Sequence, residues 1–281
     1  MALTKPRIIE QLLITTVPTM VVAEHGLPSV WLMVATVIGG TLAAGGANAV
    51  NMWWDRDIDA VMKRTARRPL VRGTITPRAA ITFAVLIEAG AFLWLALLVN
   101  LLSAVLALSA TLFYVFVYTL WLKRTSSANI VIGGAAGCVP VLIGWAAVTG
   151  KVEAAPWIMF GIIFMWTPPH TWALAYKYRE DYRSADVPML PVVSSMDDTA
   201  RQIIIYTLLL WALSLVLTPV ARMGVVYSVA AIVTGAVFTG YALKLKRDQT
   251  EKTAMRLFHY SITYLTILFG AMAVDQFVHW G

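Results

Sequence analysis

Three oxygen-bearing side chains, Asn51, Asp55 and Asp59, recur at intervals of four residues and are followed at once by basic residues. At about 100° and about 1.5 Å per residue, they would cover an arc of about 80° over about 12 Å of one helical face. Carboxylate and amide oxygens at that spacing can hold Mg²⁺ and leave ligand positions for phosphate and water. The column therefore indicates a magnesium site suited to a diphosphate.

The basic residues beyond the column are expected to contact the same diphosphate. Carboxylates stacked on one face repel each other unless a cation lies among them. This argues against the alternative, a solvated helix end held by pairs such as Asp59 with Lys63. The predicted diphosphate contacts in this stretch are Asn51, Lys63, Arg64, Arg67 and Arg68.

A second polar stretch contains Pro168, Pro169 and His170. Paired prolines predict a break or kink in the helix that carries them. A histidine beside such a break, at membrane depth, can ligate a haem iron, pass a proton, or satisfy carbonyls that the kink frees. These three roles remain open on the residues alone.

Lys177 and Asp181 lie 7 and 11 residues after His170, within about 40° of it if helix resumes after the prolines. Facing the first column, Lys177 and Asp181 would complete a phosphate and metal site; otherwise they form only an interfacial ion pair. Lys123 and Arg124 are either topology anchors or further diphosphate contacts. The predicted catalytic residues are Asp55, Asp59, Lys177 and Asp181, and the predicted metal ligands are Asn51, Asp55, Asp59 and Asp181.

Composition indicates the element that positions these residues, a membrane-embedded bundle. Of 281 residues, 59% are hydrophobic and 13% are charged, which is more apolar surface than one soluble core can bury. We predict one all-α integral-membrane domain, 1–281, with about nine transmembrane helices. The predicted spans are 8–23, 28–50, 77–97, 101–120, 128–148, 154–175, 203–221, 224–243 and 257–278.

The charge pattern predicts topology and partners. Loops on one predicted side hold 20 of the 22 lysines and arginines, so that side is expected to be cytoplasmic, with the N-terminus inside and the C-terminus outside. Basic clusters between apolar spans favour anionic lipids as partners rather than nucleic acid. The N-terminal residues show neither a signal peptide nor a transit peptide, which favours a prokaryotic plasma membrane.

The Asn51, Asp55, Asp59 pattern in a polytopic membrane protein resembles the first aspartate-rich motif of the UbiA-type intramembrane prenyltransferases. Longer strings resemble the branch of that family that farnesylates haem, over nearly the whole chain. These strings are 51–59, 62–65, 68–70, 118–124, 129–134, 144–150, 168–170, 181–182 and 188–192.

The resemblance implies a nine-helix bundle around a lipid-accessible cavity. It also implies that Mg²⁺ holds farnesyl diphosphate between two acidic motifs on the cytoplasmic side. Haem B would be the acceptor, with His170 as its predicted contact, and its vinyl group would become a hydroxyethylfarnesyl chain. Haem-handling or oxidase-assembly proteins are further expected partners.

The chain departs from the family pattern in places. The second motif is usually Asp-x-x-x-Asp, whereas this chain has Lys177 before Asp181, which leaves the number of Mg²⁺ ions open and favours a direct contact between Lys177 and the diphosphate. Thr171 replaces a usual aromatic residue and Asp186 an expected glycine. We expect neither of these two to touch a ligand.

Two other functions stay open at this point. A prenyltransferase for another acceptor, such as an aromatic acid or quinone precursor, would keep the diphosphate site but would not need Pro168, Pro169 and His170. A non-enzymatic haem or lipid carrier would not need the Asn and Asp column.

Overall fold

The computed structural model describes residues 3–4 and 7–279, and all regular secondary structure in those ranges is helical. A π-helix at Phe113–Leu122 continues α5 into α6, and a 3₁₀-helix at Gly134–Cys138 joins α7 to α8. The α-helices are α1 (Arg7–Glu24), α2 (Val30–Trp54), α3 (Arg56–Val61), α4 (Pro77–Leu98), α5 (Leu101–Leu112), α6 (Lys123–Thr125), α7 (Asn129–Gly133), α8 (Val139–Thr149), α9 (Ala154–Lys177), α10 (Arg179–Ser184), α11 (Leu190–Val193), α12 (Met196–Val220), α13 (Val225–Asp248) and α14 (Glu251–His279).

Seven of the described helical segments are long and apolar enough to cross a membrane, which confirms a polytopic all-α protein. Two of them are composite, Leu101–Thr125 and Asn129–Thr149. The predicted spans 8–23 and 154–175 coincide with α1 and α9, which are not among the seven. The number of nine spans therefore stays a prediction.

The outer surface of the bundle is apolar and is bordered by tryptophan. Large aliphatic side chains such as Leu97 are exposed along the helices. Trp31 and Trp157 are exposed at the starts of α2 and α9, and Trp54 and Trp121 near the ends of α2 and the π-helix. Tryptophan concentrates at the two membrane interfaces, so this surface is suited to face lipid.

The charged loops meet at one end of the bundle. The backbone N–H of Arg64, after α3, lies 3.3 Å from a carboxylate oxygen of Asp181 on α10. At the same end the Tyr176 hydroxyl donates to the Gln249 carbonyl at 2.9 Å, which joins the end of α9 to the turn before α14. The two polar motifs are therefore on one side of the membrane domain.

Of the two predicted effects of the paired prolines, the break is wrong, because α9 runs without interruption through Pro168 and Pro169, and the kink stays a prediction. Membrane helices tolerate proline where neighbouring groups hold the segment. Here the Thr167 hydroxyl donates to the Ile163 carbonyl at 2.8 Å, and Trp166 Nε1 donates to a carbonyl of α14 at 2.7 Å.

The helix instead ends later, at Lys177. Tyr178, with φ −99° and ψ 25°, separates α9 from α10. His170 and Asp181 therefore lie on different helices, although hydrogen bonds from Tyr178 N to Leu174 O (3.3 Å) and from Tyr182 N to Tyr178 O (3.1 Å) continue the four-residue register across the joint. The predicted alignment of His170, Lys177 and Asp181 on one side stays a prediction.

Candidate active site

The Asn and Asp column is located at the end of α2. Asp55, with φ −83° and ψ 8°, connects α2 to α3. Hydrogen bonds from Asp55 N to Asn51 O (2.9 Å) and from Asp59 N to Asp55 O (2.8 Å) keep the four-residue register across this joint. Asn51, Asp55 and Asp59 are buried, whereas the Asp57 side chain is 60% exposed. The column thus faces inward and Asp57 faces outward.

Each buried carboxylate of the column is paired with a cation. Lys123 Nζ forms a salt bridge with Asp55, and Arg68 Nη1 lies 2.5 Å from Asp59 Oδ2. Asn51 Nδ2 donates a further hydrogen bond to Asp55 Oδ2 at 2.7 Å. A buried carboxylate without a partner is strongly destabilising, so these contacts keep both charges in the bundle.

Arg124 links the column to Asp57. Its Nη1 and Nη2 atoms each lie 2.7 Å from one Asp57 oxygen, and Nη2 lies 3.4 Å from Asp55 Oδ1. The hydrogen bond from Arg124 lowers the pKa of Asp57 to about 2, so this carboxylate is ionised at neutral pH. Lys123 and Arg124 both contact the acidic cluster, which a topology anchor alone would not require.

A polar cavity of about 140 Å³ lies beside the column. Three cationic side chains contribute to its wall, and the segment from α10 to α11 covers it with Tyr182, Val187 and Met189. Such a wall suits a compact anion. The charged and polar lining from the column and the neighbouring loops is Asn51, Asp59, Arg64, Arg68 and Lys123.

An apolar cavity of about 440 Å³ adjoins the polar one and extends among α2, α5, α8 and α9. Its wall contains many small residues, including Gly40, Ala47 and Gly137, and its volume lies in the range of small-molecule sites. A ligand with a charged head and a long apolar tail matches this pair of cavities. Four residues line both cavities: Tyr114, Tyr118, Ile130 and Thr171.

Tyr114 and Tyr118, at the junction of the cavities, were not among the predicted site residues. They lie on the π-helix with their ring centroids 5.3 Å apart in a stacked arrangement. π-Helical turns are frequent at functional sites. Gly133 makes room for the Tyr118 ring, because a Cβ there would lie 2.8 Å from Cγ of that ring. The only signal in the sequence is the 118–124 string, and it does not include Tyr114.

His170 lies on α9 and lines the apolar cavity. Its ring stacks on Trp166 with a centroid distance of 4.2 Å and lies tilted by 30° against Phe258 at 4.6 Å. Nδ1 lies 2.7 Å from Oγ of Ser261 on α14. The ring is thus held by two aromatic neighbours and by a hydrogen bond at one nitrogen. Ser261 belongs to no motif in the sequence, so sequence reasoning missed it.

Only part of the second motif lies beside the first motif. Asp181 contacts Arg64, but Lys177 Nζ lies 3.9 Å from a carboxylate oxygen of Glu251 and 5.7 Å from the ring centroid of Tyr178. Lys177 lines neither cavity. Its predicted contact with the diphosphate therefore stays a prediction.

The remaining positions from the sequence analysis differ in their distance from the cavities. Lys63 and Arg67 are exposed on the loop after α3 and line neither cavity. Thr171 lines both, so it lies nearer to the site than expected. Asp186 has φ 51°, a left-handed conformation that favours glycine and explains why glycine is expected there.

The donor set of the column fits Mg²⁺ when the substrate supplies part of the coordination. Within the described ranges, no three side chains of Asp, Glu, His or Cys are grouped to hold a metal ion by themselves. Asn51, Asp55 and Asp59 nevertheless present hard oxygen donors together. Mg²⁺ is commonly bound through one or two carboxylates plus substrate phosphates and water. The column therefore fits a metal bound jointly with a diphosphate.

Comparison with known sequences identifies close relatives. A model of the UbiA prenyltransferase family matches residues 12–269. The chain is 55% identical to the protoheme IX farnesyltransferase of Frankia alni, covering 99% of this chain and 97% of that protein. It is 54% identical to protoheme IX farnesyltransferase 2 of Saccharopolyspora erythraea, covering 98% of this chain and 85% of the relative.

Solved structures share the fold at low sequence identity. A digeranylgeranylglyceryl phosphate synthase superimposes with a TM-score of 0.81 at 16% identity, covering 98% of this chain and 96% of that one. A UbiA homologue from Archaeoglobus fulgidus bound to GPP and Mg²⁺ gives a TM-score of 0.67 at 17% identity, covering 96% and 99%. These likenesses show a common architecture.

Proposed function

Because the chain belongs to the UbiA prenyltransferase family, we propose that it transfers the farnesyl group of farnesyl diphosphate to a vinyl group of haem B, giving haem O and diphosphate. The proposal treats 1–281 as one catalytic domain. The observation that carries it is a cation-lined polar cavity joined to an apolar cavity whose wall contains His170. The names of relatives that are more than half identical over nearly the whole chain support the same acceptor.

The polar cavity is the proposed diphosphate site. Arg64, Arg68 and Lys123 line it and would meet the phosphate oxygens. Arg124, which pairs with Asp57, would contact the diphosphate from that side of the column. The exposed Lys63 and Arg67 would attract the anion before it enters the cavity. Preorganised cations of this kind stabilise the charge that develops on a departing diphosphate. The side chains that neutralise the column would thereby also serve the leaving group.

Mg²⁺ is the proposed cofactor, held by Asn51, Asp55 and Asp59, with Asp181 from the second motif. When bound, it supplies Lewis-acid stabilisation of the diphosphate oxygens. The Archaeoglobus fulgidus homologue with GPP and Mg²⁺ supports this assignment. The number of ions is left open, because Lys177 occupies a usual ligand position of the second motif.

The apolar cavity is the proposed place of carbon–carbon bond formation. As the C–O bond to diphosphate breaks, an allylic farnesyl cation forms beside Tyr114 and Tyr118, whose ring faces can stabilise it. The vinyl π electrons then bond to the farnesyl carbon, water adds to the carbon next to the porphyrin, and a proton is lost. The apolar wall keeps water from capturing the first cation too early.

His170 is the proposed haem contact. It lines the same cavity as the tyrosines that line both sites, and Ser261 holds Nδ1, which leaves the other ring nitrogen for a ligand. Neutral imidazole is a common ligand of haem iron. A purely structural histidine would not need to line a cavity.

The protein is a multi-pass membrane protein. We assign it to a prokaryotic plasma membrane, with the N-terminus and the charged loops cytoplasmic and the C-terminus outside. Positive charge at one end of the bundle supports this orientation. Membrane lipids and haem-handling or oxidase-assembly proteins are the proposed partners.

The deciding experiment is to incubate the purified protein with haem B, farnesyl diphosphate and Mg²⁺ and to analyse the pigments by mass. We expect a product with one added farnesyl group and one hydroxyl, whose oxygen comes from ¹⁸O-labelled water. Prenylation of an aromatic acid with haem unchanged would favour another acceptor. Haem retention without any transfer would favour a carrier. The Asp55→Asn variant in the same preparation is the matched control.

A further inference from the structure

Ser261 holds two rings of α9 through two different atoms. Its backbone carbonyl accepts a hydrogen bond from Trp166 Nε1 at 2.7 Å, and its Oγ lies 2.7 Å from His170 Nδ1. Ser261 is fully buried on α14. One residue of α14 thus anchors both the histidine and the tryptophan on which the histidine is stacked.

The direction of the bond between Ser261 and His170 follows from a third contact. Ser261 Oγ also lies 2.6 Å from the carbonyl oxygen of Phe258, which can only accept. The single hydroxyl proton must therefore point to Phe258, since two oxygen lone pairs would repel each other at that distance. Towards His170 the hydroxyl can then only accept, so the Nδ1 atom of His170 carries a proton.

The other ring nitrogen follows by the same reasoning. A charged imidazolium is costly when it is buried at membrane depth, so His170 is neutral and has one N–H. With that N–H at Nδ1, Nε2 carries the lone pair. Trp166 and Phe258 pack against the ring and Ser261 holds Nδ1, so Nε2 is the ring nitrogen left for the apolar cavity that His170 lines.

We propose that Ser261 is a positioning residue that holds His170 as the Nδ1–H tautomer and presents Nε2 to the cavity as a ligand for the iron of a porphyrin. Histidines that ligate metals usually donate their other N–H to a protein acceptor, which orients the ring. Naming an iron porphyrin as the occupant rests on the proposed function. The tautomer itself does not.

The tautomer is tested without any ligand, by ¹⁵N NMR of histidine-labelled protein. The His170 signals are assigned by their loss in His170→Ala. We expect Nδ1–H in the native chain and a shift towards Nε2–H in Ser261→Ala. An Nε2–H tautomer in the native chain, or no change in Ser261→Ala, would overturn the proposal.

The ligand role is tested by titrating ferric haem B and metal-free protoporphyrin IX into the protein. Ser261→Ala should weaken haem binding by about 10- to 100-fold and change the absorption bands of the histidine-ligated iron. Binding of the metal-free porphyrin, which offers no iron, should stay the same. Equal weakening for both porphyrins would mean that Ser261 only shapes the cavity, and would contradict the proposal.

Ser214→Ala is the matched control. Ser214 is also buried, donates to the Leu210 carbonyl at 2.9 Å, and contacts the Tyr264 hydroxyl at 2.7 Å, yet it lines neither cavity. The Ser214→Ala substitution should leave haem binding unchanged. Ser261→Thr keeps the hydroxyl, so a folded Ser261→Thr protein should restore the native tautomer.

The proposal and the proposed function fail in different ways. Haem ligation through His170 without any prenylated haem would refute the function and leave the positioning role of Ser261 intact. Farnesylation of haem by a protein whose haem spectrum is the same with and without Ser261 would refute the positioning role alone.

Discussion

The two polar motifs lie at the same end of the bundle and differ in how their charges are held. In the first motif, Asp55 and Asp59 are buried and each is paired with a cation. In the second, Asp181 is half-buried with one backbone contact to Arg64, and the Lys177 side chain is 40% exposed. The first motif is therefore formed before a ligand arrives, whereas the second is only partly assembled.

Side-chain pairing, and not the helix joints, explains this difference. α2 passes into α3 through Asp55 without losing its hydrogen-bond register, so the column remains on one face. The joint between α9 and α10 at Tyr178 keeps the same four-residue hydrogen bonds, from Tyr178 N to Leu174 O (3.3 Å) and from Tyr182 N to Tyr178 O (3.1 Å). Charges held by buried ion pairs are positioned more exactly than half-exposed charges with fewer partners. We therefore expect the first motif to carry most of the catalytic effect and the second to respond to the bound substrate.

Removal of divalent cations should have the largest effect, because both motifs would contribute to binding them. Excess EDTA should abolish farnesyl transfer, because the carboxylates alone would repel a diphosphate, and added Mg²⁺ should restore it. The product is measured by mass. Full activity in excess chelator would refute the metal bridge and would leave the two motifs without a common role.

The next largest effects are expected from Asp55→Asn and Asp59→Asn. Each should lower kcat by on the order of 100-fold or more. The exchange keeps the shape of the side chain and removes the charge that holds the metal. Circular dichroism should show an unchanged helix content. Activity within a few-fold of the native chain in both variants would contradict the column as the catalytic centre.

Substitutions in the second motif should have smaller effects than those in the column. Asp181→Asn should lower activity by about tenfold, as expected for an oriented but less preorganised partner. Lys177→Met should mainly raise KM for farnesyl diphosphate if the side chain turns to the substrate. A Lys177→Met variant with native KM and kcat would instead support a structural pairing with Glu251.

The smallest expected effect is that of Asp57→Asn, an internal control from the same helix. Asp57 is largely exposed and acts only through Arg124, so activity should fall less than about fivefold. Because its pKa is about 2, Asp57 stays ionised between about pH 5 and pH 8, and the ratio of variant to native activity should not change there. A loss equal to that of Asp55→Asn would show that metal binding does not follow the inward face.

The sequence predicts the inward face of the column but not its partners. The spacing of Asn51, Asp55 and Asp59 identifies residues that share a helical side. Lys123 is 68 residues from Asp55, and both the anchor and the ligand interpretations fitted its position. Only the packing of the π-helix, which α6 continues, against α2 places its ammonium group on that carboxylate.

The sequence by itself determined the helical class, the membrane setting, the clustering of charge at one end and the family, because apolar run length, charge position and local motifs are written along the chain. Tertiary structure decided that α9 continues through its prolines, that Tyr114 and Tyr118 join two cavities, and that Ser261 holds His170 across 91 residues. The reason is physical. A repeating pattern shows which side chains share a face, but the partner of a buried polar atom depends on which helix packs against that face.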